Sequence, residues 1–411
     1  MNSVLSELVK PAGWDQVPFG RLVTRSKEAG QPEASSLSVF LDQGVVPRSS
    51  REDNFNRLGE DLSKYLVVRP GDVVFNKLRT WQGGFGVSKY KGIVSPAYFV
   101  CRPGPRAEPR FLHYLLRSHP YLSELTRISK FMPPSQFDIL WDDLRLVSVL
   151  LPPPAEQRAI ADFLDAETAR IDALITKKQR LLKLLGQRED RLVDDMMTAD
   201  GRGTEVRLAR VAQLQGGLTI DASREDEEGT RGYPYLRVAN VQPGRLDLRE
   251  VKEVRVPPAL AKRCLLRPGD VLMTEGGDID KLGRGTVWRG EISNCLHQNH
   301  VFAVRPNKAR LLSEFLALYT RSSAVRSYFE RTGVQSTNLA STSSSKVLAL
   351  PVPTASVHQQ REILETFKAA SAQIAGLSAL LGRQITLLQE HRQALITASV
   401  TGELDIPGAA A

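Results

Sequence analysis

The chain states most of its motifs twice. Val67-Val68-Arg69-Pro70-Gly71-Asp72-Val73-Val74 returns as Leu265-Leu266-Arg267-Pro268-Gly269-Asp270-Val271-Leu272. Upstream, Val17-Pro18-Phe19-Gly20-Arg21-Leu22-Val23 is echoed by Val206-Arg207-Leu208-Ala209-Arg210-Val211-Ala212. Downstream, Tyr98-Phe99-Val100-Cys101-Arg102-Pro103 is echoed by Val301-Phe302-Ala303-Val304-Arg305-Pro306, and Leu151-Pro152-Pro153-Pro154 by Leu350-Pro351-Val352-Pro353. The order is kept, and the offset drifts only as loop insertions would make it drift. Solenoid repeats recur every 20 to 50 residues or so, so a period of about two hundred means a duplicated domain. A pseudo-symmetric chain suits a ligand that itself has two halves.

Charge follows the duplication. The net charge is +9, with a pI of about 9.5. Residues 1–153 carry +5, residues 154–199 carry −1, residues 200–354 carry +6 and residues 355–411 carry −1. The positive excess thus sits in two segments, and a polyanion such as DNA or RNA is their natural partner. No apolar run is long enough to span a bilayer, and the opening residues lack a basic region followed by an apolar core, so the expected location is the cytoplasm, with no membrane partner. Cys101, Cys264 and Cys295 are scattered and form no CxxC pair, which argues against both a disulfide framework and a zinc site.

Each repeat changes character after a proline stop. The first part is rich in Gly, Pro and short β-branched runs punctuated by Pro-Gly-Asp, the pattern of a mixed sheet with helices. From Ala155 to about Thr198 there is no Pro. Ile160, Leu164, Ile171, Leu174, Leu181, Leu185, Leu192 and Met196 follow heptad-like steps there. The counterpart, about Val357 to Thr401, carries Ile363, Phe367, Ile374, Leu377, Leu381, Leu388 and Leu395. Each is expected to form a helix of roughly 65 Å, longer than a globular core requires. The expected fold class is α+β: two mixed α/β domains with twisted sheets, separated by two long antiparallel coiled-coil helices, with a pseudo-two-fold internal repeat. The expected boundaries are 1–153, 154–199, 200–354 and 355–403, with a tail at 404–411. The alternative is that each helix caps its own domain.

The residues of a catalyst are missing. Gly276-Gly277-Asp278-Ile279-Asp280-Lys281-Leu282-Gly283-Arg284-Gly285 has the wrong order for a phosphate loop. Met132-Pro133-Pro134-Ser135 lacks the flanks of an amino-methyltransferase motif. His297-Gln298-Asn299-His300 offers two nitrogens without a third ligand nearby.

In this ordered set the chain resembles the specificity subunit of type I restriction-modification systems over essentially its whole length. The junction motif of that family stands here as Leu151-Pro152-Pro153-Pro154-Ala155-Glu156-Gln157-Arg158-Ala159-Ile160. The second junction ends in Gln359-Gln360-Arg361-Glu362-Ile363, with four extra residues and no Glu-Gln pair. Gly232–Val241 and Arg267–Thr274 look like the opening strands of a target-recognition domain. The resemblance implies a non-catalytic subunit whose two target-recognition domains each read one half of a bipartite target in double-stranded DNA. It implies helices that set the spacer and dock two methyltransferase subunits, with restriction subunits joining the complex. S-adenosylmethionine, ATP and Mg would then reside on those partners, and this chain would hold no cofactor. The competing reading is a coiled-coil protein-interaction scaffold without sequence-specific DNA binding.

Between Val73 and Ala107 no acidic residue occurs. Lys77, Arg79, Trp81, Gln82, Lys89 and Lys91 are the candidate DNA contacts there, since cations neutralise phosphates and Arg or Gln can bond bidentately to base edges. The second domain offers Thr274, Lys281, Arg284 and Arg289 at the equivalent position, and Gln298, Asn299 and His300, ahead of the expected strand Val301–Val304, are candidate base readers. Gln335 lies in a polar segment that resembles the family's loop before the closing strand.

Overall fold

The computed structural model describes residues 3–41, 43–50, 59, 61–132, 136–198, 205–219, 229–242, 244–277, 282–283, 285–335 and 340–407. The chain divides into two compact units. The first comprises Met1–Gln179 with Gly382–Ala411, and the second Arg180–Leu381. Both cuts fall inside the long helices, so each unit owns the start of one and the end of the other.

The first unit is built on a four-stranded antiparallel sheet of β1 (Val23–Ser26), β2 (Val73–Asn76), β3 (Phe85–Val87) and β4 (Tyr98–Pro103). The spatial order is β1-β4-β2-β3. Helices α1 (Pro109–Arg117) and α2 (His119–Ile128) follow, then a hairpin of β5 (Lys130–Met132) and β6 (Gln136–Asp138). Asp15–Pro18 pairs with Ser148–Leu151, which zips the ends of the domain together. Helix α3 (Pro154–Thr198) then begins and runs for 45 residues.

The second unit repeats this plan. Its sheet of β7 (Ala212–Gln215), β8 (Val271–Thr274), β10 (Gly285–Val287) and β11 (Val301–Pro306) has the order β7-β11-β8-β10, with β9 (Gly276–Gly277) lying outside it. Helices α4 (Ser313–Tyr319) and α5 (Ser323–Thr332) lead to β12 (Val334–Gln335) and β13 (Ala340–Ser341). Glu205–Arg207 pairs with Pro351–Pro353, and α6 (Val357–Thr401) follows.

The repeated motifs prove to be scaffold. Gly71 and Gly269 have φ of 91° and 97°, values that favour glycine, and Asp72 N–H and Asp270 N–H donate to Arg69 O and Arg267 O. Proline followed by a left-handed glycine is the type II turn pattern. The aspartate then turns back. Its carboxylate accepts from Arg69 N–H at 2.9 Å, and Asp270 accepts from Arg267 N–H at 2.8 Å. Arg102 and Arg305, from the second repeated motif, close each staple by pairing with Asp72 and Asp270 across the sheet. Both carboxylates are buried, so the arginine is the partner that makes their charge tolerable.

The junction motif is explained in the same way. Gln157, buried in the first turns of α3, donates to Arg106 O at 2.9 Å and Pro152 O at 2.8 Å, and accepts from Glu108 N–H at 2.8 Å. Gln360, buried at the start of α6, donates to Arg310 O and Ala355 O and accepts from Leu312 N–H, all at 2.8 Å. The second junction therefore keeps the functional glutamine despite its different spelling.

Each unit closes its core with helix ends. Phe19, Phe75, Phe85, Phe111 and Leu115 pack with Ile160 and Leu164 from α3 and with Ile396 and Val400 from α6. In the second unit Val193 and Met197 of α3 and Ile363 of α6 join Phe302, Phe315 and Phe329. Capping and helix pairing thus both occur. Within the first unit the helices run antiparallel, with Asp172 on Arg392 at 3.0 Å and Lys178 on Gln384 at 2.6 Å. Within the second, Ser371 donates to Glu189 at 2.6 Å.

The seam differs from the one expected. Leu174 and Leu181 are 45% and 48% exposed, whereas Ile175 is buried and Leu182 half-buried. At the far end Val193 and Met197 are buried, and Leu192 and Met196 are only half-buried. The seam runs through Thr168, Ile171, Ile175, Lys178, Leu182, Leu185, Glu189 and Val193, with steps of three and four residues. Counting only apolar residues misses it, because Thr168, Lys178 and Glu189 occupy seam positions and bond there.

Two expectations follow. Replacing Gln157 by Leu strands a buried N–H and removes the donor from two carbonyls, a loss of about 3 kcal/mol. The urea midpoint of the first unit should fall accordingly, while exposed Arg158→Ala should stay within about 0.5 kcal/mol of wild type. Equal midpoints for the two variants would contradict the clasp. The second concerns His113 on α1, whose Nδ1 is buried without a hydrogen-bond partner. Burial, with Arg117 and Arg392 nearby, pushes its pKa down to about 3. The unfolded chain binds a proton on this histidine below about pH 6.5, while the folded chain does not. Its contribution is therefore fully present above about pH 6.5 and lost as pH falls toward 3. His113→Gln should flatten that limb of a stability–pH curve, and an unchanged limb would exclude the histidine as its source.

Candidate nucleic-acid interface

The sheet has two ends, and the structure sorts the expected residues between them. Phe75 pairs with Phe85 near one end of β2 and Val73 with Val87 near the other. The turn from Lys77 to Gln82 leaves the first end. Lys89 and Lys91, both exposed, leave the second, on the side of the Asp72–Arg102 staple. A four-residue strand of about 13 Å separates the two groups. They do not form one cluster.

At the first end Lys77 folds back, with Nζ donating to Pro96 O at 3.1 Å and lying 4.9 Å from the centre of the Phe99 ring. Arg79 and Gln82 are exposed. Trp81 is half-buried, its ring 4.8 Å from that of Phe137 on β6. Ile139 N–H donates to Lys77 O at 3.3 Å, so the turn and the hairpin β5–β6 form one continuous surface. Gln82 also lines a cleft of about 1070 Å³ with His113, Arg117, Asp172 and Arg392.

The second unit has the same two ends. Thr274 closes β8 and is buried, so its side chain presents no surface. Beyond it Glu275 O accepts from Thr342 N–H at 2.8 Å, and β9 pairs with β13, which also pairs with β12. Asn299 is half-buried and its N–H donates to Leu218 O at 3.0 Å. Gln335 lies on β12, opposite Ala340. Arg289 lies at the other end, matching Lys89, and lines a smaller cleft of about 290 Å³ with Glu314 and Arg321. Lys281 and Arg284 lie outside the described residues.

The two histidines of the His-Gln-Asn-His stretch part company. His297 is buried, with Nδ1 2.6 Å from Val301 O, and burial holds its pKa below the usual value. His300 is exposed and faces Glu275 at 2.8 Å. Among the described residues no group of three or more His, Cys, Asp or Glu is arranged to hold a metal, and no helix is long and apolar enough to cross a membrane. All three cysteines are buried and free.

Lys130 and Phe131 were not among the candidates read from the sequence. Both are exposed on the hairpin beside the Trp81 turn. The available signal was the sequence itself, in which Phe131 and Phe137 flank Pro133-Pro134-Ser135 at a spacing that suits a short hairpin.

No family model matches the chain. The EcoKI specificity subunit of the type I restriction enzyme from Escherichia coli K12 is 21% identical over 96% of this chain and 90% of its own length. The StySPI specificity subunit from Salmonella potsdam is 19% identical over the same shares. Among solved structures, a chain from a study of complex assembly and conformational transition of the type I R-M system aligns over 96% of this chain and all of its own, at 19% identity and a TM-score of 0.74. The HsdS subunit from Thermoanaerobacter tengcongensis aligns over 96% and 98%, at 19% identity and a TM-score of 0.55. Through both repeats, and in fold along nearly the whole chain, this protein is similar to the specificity subunits of type I restriction enzymes.

Proposed function

We propose that this chain is the DNA-sequence-recognition subunit of a type I restriction-modification assembly, each unit reading one half of a bipartite target. The observation that carries the reading is the duplicated scaffold with unlike loops. Sheet order, staple and glutamine clasp are the same in both units. After the central strand, however, one unit makes a tight turn bearing Trp81 and the other an extended Glu275-Gly276-Gly277 segment paired with its hairpin. Identical frames with different edges suit two readers of different half-sites, since specificity is read from base edges by side chains on such loops. We place DNA at the hairpin end of each sheet.

The helices in this reading hold the two methyltransferase subunits. Pairing hides one stripe of each helix and leaves leucines outside it. Leu174 and Leu387 stand exposed in the first unit, and Leu181, Leu184, Leu377 and Leu380 in the second. Exposed leucines repeated along a helix mark surfaces that another protein covers. The subunit itself performs no catalysis. Methyl transfer from S-adenosylmethionine to adenine, which requires extruding the base, belongs to the methyltransferase, and ATP- and Mg-dependent cleavage to the restriction subunits.

Arg79→Ala should lower the slope of log K against log salt by about 0.9 for the assembled complex, as loss of one phosphate contact does. The pair Lys89→Ala/Lys91→Ala should leave that slope unchanged. The reverse result would put DNA at the opposite end of the sheet, and no salt dependence at all would favour the scaffold reading.

The helices also act as a ruler in this proposal. Four residues inserted within Lys177–Arg191 add about 6 Å, or roughly two base pairs at about 3.4 Å each. The seam tolerates four residues as a stutter. Mapping methylated adenines should show both half-sites intact and the spacer longer by about one or two base pairs. Methylation at the original spacing would refute the ruler.

A further inference from the structure

Phe131 is 57% exposed on the hairpin β5–β6, an uncommon place for a ring of that size. It does not stand alone. Its ring centre lies 5.2 Å from that of Phe137, which lies 4.8 Å from that of Trp81. The three rings form a ladder from the half-buried Trp81 outward, so the outermost ring is backed by half-buried neighbours. Lys130 and Arg79 are exposed on the same hairpin and turn. The second unit also exposes an apolar residue at the matching hairpin beyond α5, where Val334 is 61% exposed. An exposed apolar side chain on the hairpin of each copy, flanked by cations in the first, has the chemistry of a group that enters a stack of bases while its neighbours hold phosphates.

We propose that Phe131 is a wedge that inserts between neighbouring base pairs of the half-site read by the first unit, with Val334 the smaller wedge of the second. The proposal rests on the DNA-recognition reading above and deepens it. Apolar side chains inserted between base steps unstack them and kink the duplex by about 20–90°. A step already unstacked lowers the cost of extruding a neighbouring adenine, which the methyltransferase partner must do. A ring packed on Phe137, itself packed on Trp81, loses little freedom on insertion, whereas a flexible side chain would lose more.

The test uses the full chain assembled with its methyltransferase subunits and the duplex defined by mapping its methylated adenines. Bending is read by energy transfer between dyes at the duplex ends. Unstacking is read by 2-aminopurine placed in turn at each position of the first half-site. Wild type should bend the duplex and raise 2-aminopurine emission at one step. Phe131→Ala should abolish that rise, reduce the bend and weaken binding about ten-fold, the loss expected of one aromatic–base stack. Phe131→Leu should retain most of each effect, and Val334→Ala should leave the first half-site unchanged. Both Phe131 variants should keep the wild-type thermal midpoint because the side chain is exposed. If wild type binds its target specifically and Phe131→Ala matches it in bend, emission and affinity, the wedge is overturned and the recognition reading stands. If the wild-type assembly does not distinguish its target from a scrambled duplex, the recognition reading falls and the wedge with it.

Discussion

The buried glutamine at the start of each long helix is the contact on which the rest depends. A helix of 45 residues is a rod of about 67 Å, and a tilt of about 10° at its first turn moves the other end by about 12 Å. Hydrophobic packing alone is non-directional and tolerates such tilts. A primary amide with three backbone partners does not, because each hydrogen bond fixes a distance and a direction. Gln157 and Gln360 therefore set the angle at which each helix leaves its domain. The core residues Ile160 and Ile363, one turn further on, then add burial to an orientation already chosen.

The same division of labour runs through the sheets. The motifs that repeat most faithfully are occupied with holding the chain together. Asp72 and Asp270 satisfy a turn and an arginine at once, and their burial leaves them nothing to offer a ligand. Residues free to face a partner lie where the repeats diverge, on the Trp81 turn and the hairpins. A rigid frame with variable edges lets what the edges bind change without disturbing the fold. It also explains why the cations of the first domain split between two ends, since a contiguous basic run in sequence is folded back and forth across a short strand.

The helices show where one-dimensional pattern reading stops. Leu174, Leu181 and Leu377 carry the strongest apolar signal and face outward. Thr168, Lys178 and Glu189 carry none and sit on the seam, where each has a hydrogen-bond partner. From Ile171, steps of three and four are both helical, and sequence spacing cannot choose between Leu174 and Ile175. Val193 and Met197 choose, because the second unit's core takes them and so fixes the phase of α3 at its far end.

What the sequence determined by itself was the duplication, the sheet-then-helix plan, the long helices and the absence of a catalytic motif. Each is written in local order: proline and glycine punctuation, apolar periodicity and repeated strings survive without knowledge of what touches what. Only the tertiary structure decided the rest. It showed that Arg102 and Arg305 belong to staples and that Thr274 is enclosed. It showed that Lys77 lies back on Phe99, and that Phe131 is a ring left standing in solvent. The reason is that exposure and partnership depend on residues far apart in the chain. Arg102 is neutralised by a carboxylate thirty positions earlier, and Trp81 is covered by a ring fifty-six positions later.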